Sequence, residues 1–490
     1  MVGRKQEGQA TENEDNTEAL AREECSRLAR QLRLMENELL HSVLVKKYNQ
    51  PIPRYTSYPT VPFWKEGFDI DEWKTIFKSR FDEQNLVNGI SLYIHLPFCE
   101  SLCTYCGCNK KITTNHNVED EYLAAIEKEW TIYRKLMKQT PIIRELHLGG
   151  GTPTFFSPAN LNRLLSFILK SAIVHPQHEF SIEGHPNNTT IAHLKTLYAR
   201  GFRRISFGVQ DNDPLVQQVI NRIQPFENVK SAIENARAVG FESVNFDLIY
   251  GLPMQTLASI EKTVNEVLSL RPDRIAFYSY AHVPWTSKAQ RLFDESDLPS
   301  PELKLQLYLR GKELFLKNGY FDIGMDHFAV PTDDLYKAWK QGSLHRSFMG
   351  YTTQRSGLLL GLGVSSISDT GNAFAQNEKT LHNYYEKINT GNLSVFKGYK
   401  LTATDIRFRK YILDIACKGK TWFRDEDYEI LHEQVFPKLR DLEKDGLVEC
   451  NEVGLQLTNE GHYFIRNICS AFDLYLEQVN EGSRLFSKAV

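Results

Sequence analysis

Short apolar runs alternate with longer amphipathic ones from about residue 88 to residue 318, and few folds accept that pattern. Residues 91–96, 143–148, 179–183, 204–210, 243–250 and 274–280 read as strands. Helical spacing follows each of them. It covers 118–138, with acidic residues in its first turn, 161–171, a stretch ending at Arg200, 214–221 with 226–239, a stretch ending at Leu270, and 302–318. Six strand-then-helix units predict a parallel sheet with its helices outside. The strands read as apolar, like strands buried on both faces. Polar or glycine-rich residues stand at the C-terminal end of nearly every strand, the edge where parallel α/β proteins build their sites. The expected class is α/β, an open or partial (βα)6 barrel of the TIM type with its chemistry on one rim. A doubly wound sheet is the competing arrangement.

The loop after the first strand carries Cys99, Cys103, Cys106 and Cys108, four cysteines in ten positions. The first three have the spacing C-x3-C-x2-C. Three thiolates on one tight loop can hold three irons of a cubic [4Fe–4S] cluster, which leaves the fourth iron open for a substrate or cofactor. That open corner points to redox chemistry on a bound molecule. Zinc is the alternative. A structural zinc site would take its remaining ligand from His95 or His116, because Cys25, Cys417, Cys450 and Cys469 are isolated. A disulfide framework suits neither 8 cysteines in 490 residues nor the polar N-terminus.

Composition narrows the partners. A 41% hydrophobic and 24% charged chain is that of a globular protein, and a formal net charge of −3 gives no electrostatic reason to expect nucleic acid. No run approaches the roughly eighteen apolar residues of a membrane span. The N-terminus reads as carrying no secretory signal, so the expected location is the cytoplasm.

Four segments are expected. Residues 1–34 are polar and read as a disordered or extended tail, with helical spacing between 20 and 40. Met35 stands just before the first domain-like segment and would be a natural start, the upstream residues then being an over-extended reading frame. Residues 35–87 are expected to pack on the barrel of residues 88–400, and residues 401–490 to form a smaller, mainly helical domain. There, 404–417, 426–435 and 439–445 look helical, and 446–457 alternates in period two around a turn, which together resemble a winged helix. The candidate third helix mixes Lys438, Arg440 and Lys444 with Asp441, Glu443 and Asp445, so it lacks the one-signed basic face that phosphates require. A lid or cover over the barrel is the favoured role.

The cysteine loop and the Gly149–Pro153 turn resemble the radical S-adenosylmethionine (SAM) superfamily. The order of further motifs resembles, within it, the oxygen-independent coproporphyrinogen III oxidase family. Those motifs are Pro53-Arg-Tyr-Thr-Ser-Tyr-Pro59, the fourth cysteine Cys108, Gly208-Val-Gln-Asp211, Asp247-Leu-Ile-Tyr-Gly-Leu-Pro253, Gly324-Met-Asp-His-Phe-Ala329 and Arg466-Asn-Ile-Cys469. The resemblance runs from about residue 45 to the end. It implies a radical SAM partial barrel with Cys99, Cys103 and Cys106 as cluster ligands. It also implies that SAM chelates the open iron and is split by one electron into methionine and a 5′-deoxyadenosyl radical. It further implies two SAM molecules, around which Tyr93, Tyr105, Cys108, Gly150, Gly151, Thr152, Glu183, Gln210, Arg222, Asp247, Ala281 and Ile367 match family positions.

Tyr105 stands where relatives often carry Phe, and Glu183-Gly-His-Pro-Asn-Asn188 departs from the usual Glu-x-Asp/Asn-Pro, which leaves His185 and Asn187 without a family role. The implied reaction is oxidative decarboxylation of two propionates of coproporphyrinogen III to the vinyl groups of protoporphyrinogen IX, in heme biosynthesis. Its expected partners are the porphyrinogen and a flavodoxin- or ferredoxin-like one-electron donor, with neither nucleic acid nor membrane, on a monomer. Arg54, Lys110 and Lys111 are candidate partners for the substrate's carboxylates, and Tyr55 and Tyr58 are candidates to pack on its ring or against the barrel mouth. A heme chaperone of the same superfamily is the nearest rival. Such chaperones usually have Phe in place of Cys108 and lack the Arg54–Pro59 segment. A radical SAM methyltransferase, a heme-degrading relative and a zinc-bearing winged-helix regulator are the more distant readings.

Overall fold

In this computed structural model residues 43–478 and 486–488 are described. The readings of residues 1–34 and of Met35 lie outside them. The chain divides into two units, 1–49 and 50–490; in the first, residues 43–48 are helical. The second holds every strand and the cysteine loop.

Six strands pair in parallel and in chain order: β1 (Ile90–Leu96), β2 (Ile142–Gly150), β3 (Ile173–Gly184), β4 (Phe202–Gln210), β5 (Ser243–Tyr250) and β6 (Arg274–Ser279). A doubly wound sheet needs a reversal of order within such a set, and these six strands show none, so the partial-barrel reading holds. Helices return the chain between them: α1 (Val118–Leu136), α2 (Pro158–Lys170), α3 (Ile191–Ala199), α4 (Phe226–Val239), α5 (Leu257–Ser269) and, after β6, α6 (Pro301–Lys317). Hydroxyl side chains start four of them. Ser157, Thr190, Thr256 and Ser300 accept from the backbone N–H three residues on, a bond worth about 1 kcal/mol each.

The sheet continues past both ends of this set, which the sequence reading did not foresee. Leu359–Leu362 joins β1 in parallel, followed by the antiparallel strands Ile367–Asp369, Ala373–Asn377, Val395–Lys400 and Lys65–Glu66. His327–Ala329 and Phe321–Gly324 extend it antiparallel beyond β6. The result is one sheet of 13 strands with two separate ends.

Alternation within each strand sorts the residues. Leu146, Leu148, Phe180, Ile182, Ile205, Phe207, Val244, Phe246 and Leu248 are fully or nearly fully buried under the helices, each worth about 1.5–3 kcal/mol of burial. The opposite face carries Glu145, His147, Ser181, Glu183, Arg204, Ser206, Asn245 and Asp247. The strands are therefore not apolar on both faces, as their length and neighbours suggested; the barrel lumen is polar. At the N-terminal ends of the strands these groups satisfy one another. Glu145 accepts from Ser91 Oγ and Thr352 Oγ1 at 2.7 Å, Thr353 Oγ1 donates to Glu179 at 2.6 Å, Arg204 pairs with Glu179, and Arg274 pairs with Asp333 at 2.6 Å.

Glu129 of α1 ties the added strands to this frame. Its buried carboxyl accepts from Gly363 N–H (2.7 Å), Tyr384 OH (2.8 Å) and Asn377 Nδ2 (2.6 Å). Burial pushes it up to about 7, against the pull of those three bonds. Since the folded value exceeds the unfolded 4.5, its share of stability is complete below pH 4.5 and fades as pH rises through about 7. Glu129→Ala should cost about 3 kcal/mol, because three buried donors lose their acceptor. In urea titrations at pH 6 and pH 8 the variant should also lose less stability between the two than the parent does. Equal slopes would sink the assignment.

Helix Ile70–Gln84, capped by Asp69, buries Trp73, Phe77 and Phe81, with Trp73 Nε1 donating to Tyr133 OH at 3.0 Å. Toward the C-terminus, helix Ala403–Lys418 precedes a three-stranded sheet of Lys420–Trp422, Val448–Cys450 and Gly454–Leu457. The helices expected at 426–435 and 439–445 are one bent stretch. Tyr428–Ile430 passes through a π turn, Leu431–Val435, into Phe436–Lys444. Pro437 lacks the N–H that an α-helix would donate back to Glu433, which accounts for the wide turn. The hairpin forms as expected, with Asn451 Oδ1 accepting from Val453 and Gly454 N–H at its turn.

Candidate active site

The chain leaves β1 at Leu96 and returns to the rim at Lys111, and backbone bonds fix the loop between them. Lys111 N–H donates to Pro97 O (2.8 Å), Gly151 N–H to Leu96 O (2.9 Å), Thr152 N–H to Phe98 O (3.0 Å) and Thr113 N–H to Cys99 O (2.9 Å). Across the mouth, Thr104 N–H reaches Ile220 O (3.0 Å), Asn221 Nδ2 reaches Leu102 O (2.8 Å), and Lys110 Nζ holds Cys106 O (2.9 Å). Gln290 Nε2 bonds both Tyr105 O (2.8 Å) and Ala281 O (3.2 Å), tying the loop to the end of β6. None of these bonds uses a cysteine side chain.

The four thiols are free, Cys108 exposed and the other three partly so. Cys99 Sγ accepts from Thr152 Oγ1 at 3.3 Å, and Cys103 Sγ from Arg222 Nη1 at 3.6 Å. Cys106 is brought down to about 6, chiefly by its hydrogen bond with Cys108 and further by Lys110. The same bond and the Cys106 charge push Cys108 up. Burial raises Cys99 to about 11. Cys108 thus lies against Cys106, hydrogen-bonded to it. Among the described residues no three His, Cys, Asp or Glu side chains are arranged around a single metal ion. A cubane does not require such convergence, since each thiolate binds its own iron. The soft donor set, the backbone-fixed loop and the cation at Cys103 fit a [4Fe–4S] cluster held by Cys99, Cys103 and Cys106.

The glycine turn after β2 is packed against this loop. A Cβ on Gly151 would lie 2.5 Å from Pro97 O and 3.0 Å from Cys99 Sγ. Gly150 has φ +122°, and a Cβ there would lie 2.8 Å from the His95 ring. The missing side chains thus first let the protein approach itself, a use not inferred from the sequence. His95 Nε2 meets Asn109 O at 2.9 Å and its Nδ1 meets Tyr93 OH at 3.0 Å, so His95 braces the loop and does not complete a metal site.

Glu183, at the end of β3, accepts from Gly150 N–H at 3.2 Å and lies 3.3 Å from His147 Nε2. Burial pushes its carboxyl up, but His147, Gly150 N–H and His95 together hold it below the usual range. Asp247 on β5 accepts from Ser206 Oγ and Asn245 Nδ2, both at 2.8 Å. It is held up at about 6 by burial first and by the Glu183 charge, against those bonds. Arg222 bonds Gly208 O at 2.5 Å, and its Nε has no partner. Gln210 is buried at φ +68°, at the end of β4. These residues and Tyr93, Tyr105, Thr152 and Ala281 come together at the C-terminal rim. Ile367 lies two strands beyond β1 and packs in the small cluster of Trp64, Phe374 and Leu401.

Other candidates find different work. Tyr55 and Tyr58 are buried, Tyr55 OH donating to Asp473 at 3.0 Å and Tyr58 OH accepting from Leu474 N–H at 3.2 Å, so neither ring is available to stack on a ligand. Lys110 bonds the loop backbone and Lys111 is exposed. Asn187 bridges Ile223 O and Asn228, a structural role. His185 is kept neutral, down at about 3, by burial and the nearby Arg222 charge. Sequence reading missed His147, Ser206, Asn245 and Gln290. The first three carry a signal that was available, a polar residue at every second strand position.

A parallel βα sheet whose first loop offers three thiols beside a glycine turn and a row of rim carboxylates defines a radical SAM protein, and residues 93–267 match the Radical SAM superfamily. Similar proteins narrow this. The oxygen-independent coproporphyrinogen III oxidase of Escherichia coli K12 is 40% identical over 441 residues, 89% of this chain and 95% of that protein. The one from Helicobacter pylori J99 is 39% identical over 453 residues, 91% of this chain and 98% of that protein. The solved structure of the Escherichia coli coproporphyrinogen III oxidase, described as a radical SAM enzyme, superposes with a TM-score of 0.82 at 38% identity, covering 87% of this chain and all of that one. The chain belongs to the oxygen-independent coproporphyrinogen III oxidase family. Among the described residues no helix is long and apolar enough to cross a membrane.

Proposed function

We propose that this chain converts two propionate side chains of coproporphyrinogen III into vinyl groups, giving protoporphyrinogen IX and two molecules of carbon dioxide. For each propionate a hydrogen atom leaves the β-carbon, the carboxylate departs as carbon dioxide and one electron passes to an acceptor. The bound cluster and SAM supply the hydrogen-abstracting radical by reductive cleavage of the sulfonium. The observation that carries this reading is the loop of Cys99, Cys103 and Cys106, set by backbone bonds against the Gly150–Thr152 turn in a chain of this family.

The protein's own groups then have separable tasks. Cys99, Cys103 and Cys106 hold three irons, and Arg222 places positive charge at Cys103. The Gly150–Thr152 turn and Tyr93 border the methionyl end of SAM. Glu183 and Asp247 offer carboxylates to an ammonium or to ribose hydroxyls, and Tyr105, Gln210 and Ala281 line the same rim. Cys108 acts beside the cluster and is not a ligand. Ile367 borders a second SAM, an assignment supported by sequence resemblance alone. A flavodoxin- or ferredoxin-like donor supplies electrons to a cytoplasmic monomer, with neither nucleic acid nor membrane as partner.

Anaerobic reconstitution with SAM, a reductant and coproporphyrinogen III, followed by mass spectrometry, tests the reaction. The expected product has lost two carboxyl groups; SAM cleavage without that product would refute the substrate. A second measurement addresses Asp247. Its carboxylate is needed in the charged form, so SAM affinity should fall as pH is lowered through about 6. Asp247→Asn should weaken binding about tenfold at pH 7.5 and remove most of that pH step. Equilibrium dialysis of labelled SAM reads both, and a variant that keeps the step removes Asp247 from the role.

A further inference from the structure

A group of cations lies one strand beyond Asp247, where the reaction chemistry uses none of them. Arg346, on the short strand His345–Ser347, is only 7% exposed. Its Nη2 reaches Arg54 O at 3.5 Å and its guanidinium lies 4.9 Å from the centre of the Tyr351 ring, while Nε and Nη1 have no hydrogen-bond partner. Two unmatched donors on a buried cation are costly in a folded protein and ask for an anion. Arg54 donates to Ser279 O at 2.7 Å, at the end of β6, with its guanidinium 5.9 Å from the Tyr278 ring. Arg466 bonds Ile52 O and Pro53 O, the two residues before Arg54. Lys304 donates to Tyr280 O at 3.0 Å and lies against Gly251, where a Cβ would meet its stem at 2.7 Å.

Asp326 lies close to these cations. Asp326 is pushed up by burial and pulled down by Arg54, Arg466 and Arg346, while the adjacent Asp322 is paired with Lys312 at 2.7 Å. Lys304 is held down at about 7, by burial and then by Arg54 and Arg466. The Tyr278 ring, beside the Arg54 guanidinium, places this group on the lumen face. Tyr278 pairs with Ile249 and Ala276 with Asp247, so Tyr278 and Asp247 share the lumen side, and the Asp247 charge reaches the Tyr278 hydroxyl.

We propose that Arg346, with Arg54, Arg466 and Lys304, forms a carboxylate subsite that anchors propionates not undergoing reaction, a role resting on the proposed porphyrinogen substrate. Guanidinium forks match planar carboxylates in geometry and stay charged at any working pH. Anchoring there would leave another propionate of the same macrocycle toward Asp247 and the cysteine loop.

The test is an absorbance titration of the reconstituted full-length protein with coproporphyrin III, the air-stable oxidised form of the substrate, and with its tetramethyl ester. The free acid should bind at least about tenfold more tightly than the ester. Arg346→Gln should remove most of that preference and Arg346→Lys restore part of it. In turnover, Arg346→Gln should raise KM for coproporphyrinogen III more than it lowers kcat. Equal binding of acid and ester, or a full preference kept by Arg346→Gln, overturns the subsite. Should Arg346→Gln fail to fold, Lys304→Gln carries the same expectation, and an undiminished preference in it is equally decisive. Because the titration needs no turnover, a protein that holds the acid through Arg346 yet forms no protoporphyrinogen would refute the reaction and keep the subsite.

Discussion

Cys103→Ala should abolish SAM cleavage. Each of the three thiolates proposed as ligands would serve a separate iron, so losing one would leave a corner without a protein bond and the cluster without a fixed open site. Cys103 is also where Arg222 places its charge, at 3.6 Å. Methionine and 5′-deoxyadenosine formation should drop below detection after anaerobic reconstitution, and bound iron and sulfide should fall with it. Cys108→Ala provides the contrast. It lies against Cys106 and influences that thiol's proton, yet the proposed ligand set is complete without it. It should retain iron and sulfide while losing turnover. Full SAM cleavage by Cys103→Ala, or loss of the cluster in Cys108→Ala with retention in Cys103→Ala, would overturn the ligand assignment.

Gly151→Ala has the next largest effect, and for a different reason. The new methyl group would sit 2.5 Å from Pro97 O and 3.0 Å from Cys99 Sγ, and the first of these is backbone and cannot swing aside. Either the loop or the turn must move. Overpacking of this kind costs about 1–3 kcal/mol of stability. A shift of even 1 Å at the reacting centre can cost about 100-fold in rate. SAM cleavage should therefore fall about 100-fold while much of the iron is retained. Gly107→Ala is the control, since a Cβ there meets nothing within 4 Å. A Gly107→Ala defect as deep as that of Gly151→Ala would show that the loop tolerates no methyl group anywhere and would remove the steric explanation.

Much of this arrangement was legible in the sequence because its signals are local. A six-fold alternation of strand and helix, a cysteine triplet and a glycine run each sit within a few residues, and the structure places all three on one rim. The missed features depend on pairing across long separations. His147 lies within a strand read as apolar, and its use becomes visible only once β3 brings Glu183 to 3.3 Å. Gln290 lies in a stretch with no periodic pattern, yet one amide joins the cysteine loop to the end of β6. Tyr55 and Tyr58 looked like ligand-facing aromatics because their motif is polar and lies near Arg54. Their burial follows from residues more than 400 positions away, Asp473 and Leu474. The strands between residues 320 and 400 were not read at all, being short segments, of which His327–Ala329 and Leu359–Leu362 pair with β6 and β1 from much earlier in the chain.

Most bonds that hold the cysteine loop involve carbonyls, amides and a few side-chain donors, to which Thr152 and Arg222 add contacts with the Cys99 and Cys103 thiols. The loop is thus cross-linked to the rim by the chain's own groups, and less of its ordering cost falls on cluster binding than in a site whose cross-links are all metal bonds.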